Sequence, residues 1–558
     1  MAEYGAHRVS IGYVVAVLTC KLDPKGDARA DEIVNKFRVT LADKRDASRA
    51  ILTHSNCADD ITNRLITAIT PAIKAKQDSI DIGGAYFHGI PLSMLLGGRL
   101  LFVRIPQWLA DLFPEYPLRG PDGPNFLLVT GNMPGRCDAG RIWQLRFDQF
   151  LRGYGLTQLL TDRRVWVRHD EHGTLIVHDH VDDSRLTATT EAARVRFHEA
   201  WALEFGETIE TRPLSPDFTG LRHTRVDSFT TSISCEGVIR RLEILLESHP
   251  RPTLACTYPL AAQALSRLTE GPTERYPLVP HLAEAVAPIL GTIGFITGIV
   301  RADGYFGYCV LSRHATPERI TGFVYDCILR LGHYLVNTRH LCLNLTTPAL
   351  EQHADGSSSL DLFETYVDSS HGNAEDGLSY GGFVLSSMAA PPASLAGIAV
   401  PAPPDTPQPD APQPDAPAAR PCGGGALAWK CSAPRDAADS SAGSESKQAV
   451  LAYKYTLAAR ILLAELGAGV APSRPTPFYL DAQTVLDGTN CERLDKRSRW
   501  LSVRYAMLRW GMACLTIAAK KRSAARNVSD GLTKNLTGPL FYNGRARLLG
   551  YPVPYPDL

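Results

Sequence analysis

This 558-residue sequence lacks long hydrophobic runs, paired cysteines and a net charge. The apolar run Val14 to Leu18 near the N-terminus is too short for the core of a secretory leader. No stretch approaches the length expected of a membrane span. The twelve cysteines stand singly, with no Cys-x-x-Cys pair. That excludes a zinc ribbon or a disulfide framework and points to free thiols in a reducing compartment. An intracellular protein, neither secreted nor membrane-embedded, is expected. Lys plus Arg and Asp plus Glu each number 58, so any contact with nucleic acid must come from local basic patches and not from a global field. At 44% hydrophobic and 21% charged the composition is that of a globular protein, and the length calls for two to four domains.

Among what is present, one stretch stands out: Leu175-Ile176-Val177-His178-Asp179-His180-Val181-Asp182-Asp183. Leu175 and Val177 alternate as a half-buried strand would, and a second β-prone run, Leu186 to Thr190, follows two adjacent acids. The pattern predicts a hairpin with acid at its tip. Like charges fixed side by side repel, and a divalent cation is the usual relief; a solvated turn is the alternative. Upstream, Ser79-Ile80-Asp81-Ile82 reads as a short strand, and Gly83-Gly84 after it lets backbone approach a ligand, with Tyr86 and Phe87 just beyond. Asp81, Asp182 and Asp183 would then be three carboxylates on paired strands.

The rest of the N-terminal half fits around these strands. Ile11 to Thr19 and Lys36 to Leu41 predict a two-stranded basic ribbon joined through Asp23-Pro24-Lys25-Gly26-Asp27. Gly135 to Trp143 leads into a helix with Trp143, Phe147, Phe150 and Leu151 at helical spacing. Phe197, Ala200, Trp201 and Phe205 mark another helix face, closed by Gly206 as its C-terminal cap.

These pieces, in this order, resemble the reverse transcriptase of copia-type LTR retrotransposons. Lys36 to Lys44 looks like that family's "YKARLVVKG" ribbon, Asp81 to Gly89 its "DVKTAFLNG" strand, Gly135 to Trp143 its "GLKQAPRAW" box and His180 to Asp183 its "YVDD" box. Gly291 to Arg301 and Tyr305 to Pro317 resemble the segment joining polymerase to ribonuclease H. The resemblance implies Asp81 and Asp182 as ligands of two Mg²⁺ or Mn²⁺ ions with Asp183 beside them. It implies Tyr86 under the incoming sugar, where it selects deoxynucleotides, with Asp138 and Arg141 at the nucleotide. Two departures stand out: His180 replaces the family's Tyr, and Asp138 its Gln. A carboxylate near phosphates should weaken nucleotide binding, so a slowed or decayed polymerase is expected.

The C-terminal third has its own acids. Glu364 to Ser370 reads as a strand ending in Asp368, Tyr380 to Leu385 as the next strand, and Ala426 to Lys430 as a third. A helix beginning near Ser444-Glu445 would turn Leu451, Tyr455, Ala458, Leu462 and Leu466 to one face and end at Gly467. Phe478 to Asp481 is another strand ending in acid, and Asn527 to Lys534 opens a final turn. These segments look like the same family's ribonuclease H boxes. The resemblance implies a quartet, Asp368, Glu445, Asp481 and Asp530, holding two Mg²⁺ or Mn²⁺ ions that cut RNA in a hybrid. Between Arg493 and Arg526 lie ten basic residues and one acid, Asp495, interleaved with Trp500, Tyr505 and Trp510. That stretch is either a solvated helix face or a surface contacting phosphates.

The expected fold is α+β: polymerase fingers and palm over 1–235, a thumb or connection region over 236–350, and a ribonuclease H-like α/β domain with a mixed sheet over 361–558. A disordered Pro/Ala-rich insertion at 389–425 interrupts the last. The implied partners are RNA template, DNA primer, RNA:DNA hybrid and deoxynucleoside triphosphates. No Gag-like zinc knuckle, protease Asp-Ser/Thr-Gly box or integrase His/Cys cluster is present, so the chain reads as part of a longer polyprotein or a truncated copy. Two other readings compete. His178, His180 and Asp182 resemble part of the His-x-His-x-Asp-His box of dinuclear zinc hydrolases. The third is a decayed, nucleic-acid-binding remnant without turnover.

Overall fold

The computed structural model describes residues 9–556 with breaks at 23–32, 43–56, 82–84, 96–99, 113, 116–125, 182, 207–211, 214–216, 253–255, 262, 353–357, 371–378, 396–423, 433–439, 470–473 and 492–498. Most of the Pro/Ala-rich insertion therefore lies outside the described residues. The chain forms two compact units, Met1–Ala58 with Ser79–Arg212, and Asp59–Asp78 with Pro213–Leu558. The expected boundary at 235 lies inside the second of these, as does the one near 350.

In the first unit, β1 (Val9–Leu22) pairs antiparallel with β2 (Ile33–Ala42), as the basic ribbon required. The ribbon is not isolated. β1 also pairs in parallel with β4 (Leu100–Arg104), which pairs with β5 (Phe126–Leu128), so a four-stranded sheet results. A lone two-stranded ribbon is marginal in water, and the added strands supply its missing neighbours. Two short helices, α2 (Leu92–Leu95) and α3 (Gln107–Leu112), flank β4 in sequence.

A six-stranded sheet carries the acidic hairpin. Its order is β10 (Arg212–Pro213), β3 (Lys76–Asp81), β9 (Asp183–Ala188), β8 (Gly173–His180), β7 (Val165–Asp170) and β6 (Thr157–Gln158). Helices α4 (Ala139–Gly153) and α5 (Glu191–Phe205) supply the aromatic side of its core. Trp143, Phe147, Phe150 and Leu151 from α4 meet Phe197, Trp201 and Phe205 from α5, with Ile80, Leu175 and Val177 from the strands. Thr190 caps α5 by accepting from the Ala193 amide, and Gly206 ends it at φ 69°, a conformation glycine takes without Cβ strain.

A buried ionic cluster underlies this sheet. Arg164 donates to both carboxylate oxygens of Asp179 and, at 2.7 Å, to Asp148. All three side chains are nearly inaccessible. Arg164→Met should leave two buried carboxylates facing one another and cost about 3–5 kcal/mol. Urea unfolding followed by Trp fluorescence checks this.

The second unit contains a helical bundle and two larger sheets. α6 (Glu236–Glu247), α8 (Leu282–Ile299), α9 (Tyr305–His314) and α10 (Gly322–Asn337) pack together, with short α7 (Ala264–Thr269) preceding α8. By length and composition α8 could cross a membrane, contrary to the sequence expectation. Val286, Ile289, Ile293 and Ile296 are buried in the bundle, while 28% of the span as a whole is buried. A four-stranded sheet runs β11 (Asp217–Phe218), β12 (Leu221–Arg225), β13 (Thr230–Ser234), β14 (Leu343–Thr346), and β15 (Glu351–Gln352) pairs with β16 (Ser358–Ser359). Helix α1 (Asp60–Ala72) joins this unit through Arg64. The buried guanidinium donates to the carbonyls of Leu427 at 2.7 Å and Ile299 at 3.1 Å and lies over Trp429.

The C-terminal sheet is mixed. Its order is β19 (Ala426–Ser432), β18 (Gly381–Ser387), β17 (Phe363–Ser369), β20 (Thr476–Leu480), β21 (Ile517–Lys521), with the first three antiparallel and the last two pairings parallel. Helix α11 (Ser441–Glu465) packs on β17 and β18. Its buried face is not the Leu451/Tyr455/Ala458 face expected from the apolar spacing. Glu445, Ala449, Ala452, Thr456, Ala459 and Leu463 face inward, while Ala458 is exposed. Small side chains let the helix lie close to the sheet, where Thr456 and Thr365 hydroxyls meet at 2.8 Å. Leu462 and Leu466 are buried as expected, and Gly467 follows at φ 74°. The remaining helices are α12 (Gln483–Asn490), α13 (Ser502–Ala513) and α14 (Gly538–Leu549).

Candidate carboxylate metal centre

Parallel pairing of β17 with β20 sets Val367 beside Leu480, so the next residues stand side by side: Asp368, still in β17 and paired with Gly382 of β18, and Asp481, just past the end of β20. A short 3₁₀ helix, Val528–Leu532, brings Asp530 to the same place. Asn527 fixes that helix to β17 by donating from Nδ2 to the Val367 carbonyl at 3.0 Å. Asp368, Asp481 and Asp530 each present an oxygen within 4.8 Å of the others. Glu445 completes the group from α11, where Oε1 accepts from the Ser369 amide at 3.2 Å. The Ser369 and Ser444 hydroxyls hydrogen-bond beside it.

Two glycines make the approach possible. A Cβ at Gly381 would lie 2.0 Å from Nε2 of Gln448 on α11, and one at Gly382 would lie 2.9 Å from Cβ of Leu532. Their absent side chains admit both the helix and the 3₁₀ segment to the sheet edge.

The electrostatics are those of crowded acid. Burial, with Asp481 and Asp368 alongside, pushes the Glu445 carboxyl up to about 10. Burial and then Asp368 raise Asp530 to about 7, opposed by Lys534. Asp481 is raised by burial and by Asp368. Lys534 is the compensating charge, with Nζ 3.3 Å from Asp368 and 3.2 Å from Asp530. Thr533 donates its hydroxyl to Asp368. Oε2 of Glu445, Oδ1 of Asp481 and Oδ1 of Asp530 are buried; Glu445, which keeps its proton, shares a hydrogen bond with Asp481, and no basic or backbone donor engages these three oxygens. Hard carboxylate oxygens converging in this way suit Mg²⁺ or Mn²⁺ rather than a soft metal. Lys534, Thr533, Ser369 and Asn527 carried no assigned role in the sequence. The i,i+4 spacing of Asp530 and Lys534 was the available signal for the first.

The other expected centre is only partly described. Asp182 lies outside the described residues, as does the side chain of Asp81, whose backbone ends β3. Asp183 opens β9, half-buried, and pairs across the hairpin with His180. Val181 turns the hairpin at φ 65°, and Trp143 holds that turn by donating from Nε1 to the Val181 carbonyl at 2.8 Å. Tyr86 sits in the 3₁₀ turn Ala85–His88, half-buried against the aromatic core. Arg141, also half-buried, donates to Gln144 one turn on.

Asp138 departs from the expectation of a charge facing phosphates. It is fully buried, and Arg136 grips both of its oxygens at 2.9 and 3.0 Å. The repulsion argument therefore loses its basis, because the carboxylate is already neutralised by a residue of the same box.

No family model matches the chain, and no curated protein does. A solved structure to which it is similar is the native protease–reverse transcriptase of prototype foamy virus, at 11% identity and a TM-score of 0.24 over 94% of this chain and 50% of that one. The chain spans about half the length of that structure, and a likeness this distant identifies neither fold nor activity.

The zinc-hydrolase arrangement is not favoured by the geometry. His178 is fully buried across the strand pair from Arg185, and burial with that guanidinium lowers its basicity to about 3. A fixed cation beside the ring opposes a metal ion. His180 is exposed at the hairpin end, and among the described residues neither histidine joins a cluster of metal-ligating side chains.

Proposed function

We propose that this chain is a divalent-metal phosphodiesterase of the ribonuclease H type, cutting the RNA strand of RNA:DNA hybrids at Asp368, Glu445, Asp481 and Asp530. The observation that carries this reading is the convergence of Asp368, Asp481 and Asp530 at the ends of β17 and β20, with Glu445 hydrogen-bonded to Asp481 and three buried oxygens that no cation or backbone amide engages. Two bound Mg²⁺ or Mn²⁺ ions would lower the pKa of an attacking water and stabilise the leaving oxygen. Asp368 and Asp481, set by parallel register, would hold them from the sheet, with Asp530 and Glu445 closing the two sides. Lys534 neutralises part of the cluster in the metal-free protein and must release Asp368 and Asp530 for binding. Glu445, with its carboxyl up at about 10, must give up a proton at neutral pH.

A second, N-terminal activity is part of the same proposal: RNA-directed DNA synthesis at Asp81, Asp182 and Asp183, as in a copia-type element. Its support is the order of the sequence boxes and a hairpin whose turn Trp143 anchors. RNA template, DNA primer and deoxynucleoside triphosphates are the partners it would require. If primer extension on RNA template is absent while hybrid cleavage is present, this half is refuted and the first stands.

The basic stretch supports a nucleic-acid surface beside the carboxylates. Trp500 and Trp510 are 47% and 68% exposed, whereas Tyr505 is core and packs near Gly488. Arg504 lies by Trp500 and donates to the Gly443 carbonyl at 3.0 Å, two residues from Glu445. Hybrid affinity should fall at least about tenfold between low and moderate salt, and Trp510→Ala should lower it about a further tenfold. Fluorescence anisotropy with a labelled hybrid measures both, and binding flat in salt would refute the surface.

A further inference from the structure

Beside the carboxylates the second unit has a small, partly open cleft, bordered by Pro259, Asp303, Phe306, Lys534, Asn535 and Arg545. Asp303, Lys534 and Arg545 are its charged border. Asp303 is fully committed: Arg301 donates to both its oxygens at 2.9 and 2.8 Å, and the Tyr334 hydroxyl donates at 2.5 Å. Arg545, 4% exposed, hydrogen-bonds no carboxylate. Its Nη1 donates to the Tyr334 hydroxyl at 3.2 Å, and its Nε has no acceptor. The rings of Phe541 and Tyr542 lie 5.4 and 5.1 Å from the guanidinium. Asp303 is the nearby counter-charge, reached through the Tyr334 hydroxyl, so the guanidinium makes no direct ion pair and an anion in the cleft would supply one.

The geometry points to this cleft as a phosphate-binding site formed by Arg545 and Lys534, taking a backbone phosphate of the nucleic-acid strand. A phosphate suits both donors, because its oxygens accept from a planar guanidinium and from an ammonium at once. Lys534 borders the cleft and also touches Asp368 and Asp530. An anion that draws its ammonium toward the cleft frees those carboxylates for metal, so phosphate and metal binding reinforce one another. The choice of a backbone phosphate rests on the nuclease reading; the anion site does not.

The test titrates inorganic phosphate into the metal-free full chain and follows thermal unfolding, where saturable stabilisation reports the affinity. Arg545→Gln should weaken the apparent affinity tenfold or more. Because a buried arginine variant can fail to fold, Gly544→Asp is the second variant. A Cβ at Gly544 meets only Leu536 Cδ1 at 3.9 Å, so the variant fits while adding a like charge to the cleft. A folded Gly544→Asp protein with tenfold weaker phosphate binding is the expected result. No saturable response in the wild type, or wild-type affinity in Gly544→Asp, overturns the site. In the Asp481→Asn background an RNA:DNA hybrid should displace phosphate. Displacement by a nucleoside monophosphate but not by hybrid overturns the backbone assignment. Phosphate binding by a wild-type chain that cuts no hybrid would sink the nuclease reading and leave the anion site standing.

Discussion

Asp481→Asn should abolish divalent-dependent hybrid cleavage, by about a thousandfold or more, and at the same time raise the thermal midpoint of the metal-free protein. The first effect follows from losing one of the anionic oxygens that hold the metal; a thousandfold is about 4 kcal/mol of transition-state stabilisation. The second follows from the crowding. Asp481 stands against Asp368 and Glu445, and the carboxyls of Glu445, Asp481 and Asp530 are all pushed up, so an uncharged amide relieves repulsion worth about 1 kcal/mol or more. An acid placed only for structure would give the opposite sign, with stability lost on substitution. Cleavage rates and calorimetric midpoints on one preparation check both, and a variant that is active or less stable contradicts the assignment.

Metal binding should depend steeply on pH. Glu445 and Asp530 have folded-state pKa values above the ordinary carboxylate range, so the fold favours their protonated forms. Their contribution to stability is present at low pH. It is lost as pH rises, through about 7 for Asp530 and about 10 for Glu445. The metal-free protein should therefore lose stability from the weakly acid range upward, by several kcal/mol in total. A divalent cation needs the ionised forms, so its apparent affinity should rise about a hundredfold per pH unit below about 7, where two protons are displaced. Above that, with one proton displaced, the rise should be about tenfold per unit. Mn²⁺ titration by calorimetry in buffers of differing ionisation enthalpy reads the proton release directly. An affinity that does not change with pH would show that these carboxyls are not the ligands.

Periodicity and caps made much of the fold legible before any coordinates. The aromatic faces of α4 and α5, the Gly206 cap and the strand ends carrying Asp368 and Asp481 all follow from spacing, because residue patterns report which face a local element buries. What stayed hidden was long-range. Nothing near Arg64 in the sequence marks it, yet carbonyls more than two hundred residues away take its hydrogen bonds and tie α1 into the second unit. Nothing in the local sequence marks Asp148 or Asp179 for burial; their convergence on Arg164 buries them. On α11 a leucine-rich face competed with a stripe of alanines and threonines, and close approach to the sheet favoured the small residues. At the centre itself the four acids were implied by the resemblance to the ribonuclease H boxes. Lys534 and the glycines Gly381 and Gly382 were not, because their roles are set by what crosses the sheet edge and not by their neighbours in sequence.

The most direct measurement is strand-specific cleavage of an RNA:DNA hybrid by the full chain, with and without Mg²⁺ or Mn²⁺, beside a duplex of DNA alone. The RNA strand of the hybrid should be cut only when the divalent ion is present, the DNA duplex should be untouched, and the quartet variants should cut nothing. Cleavage that survives chelation, or that persists in Asp368→Asn or Asp481→Asn, would contradict the nuclease reading.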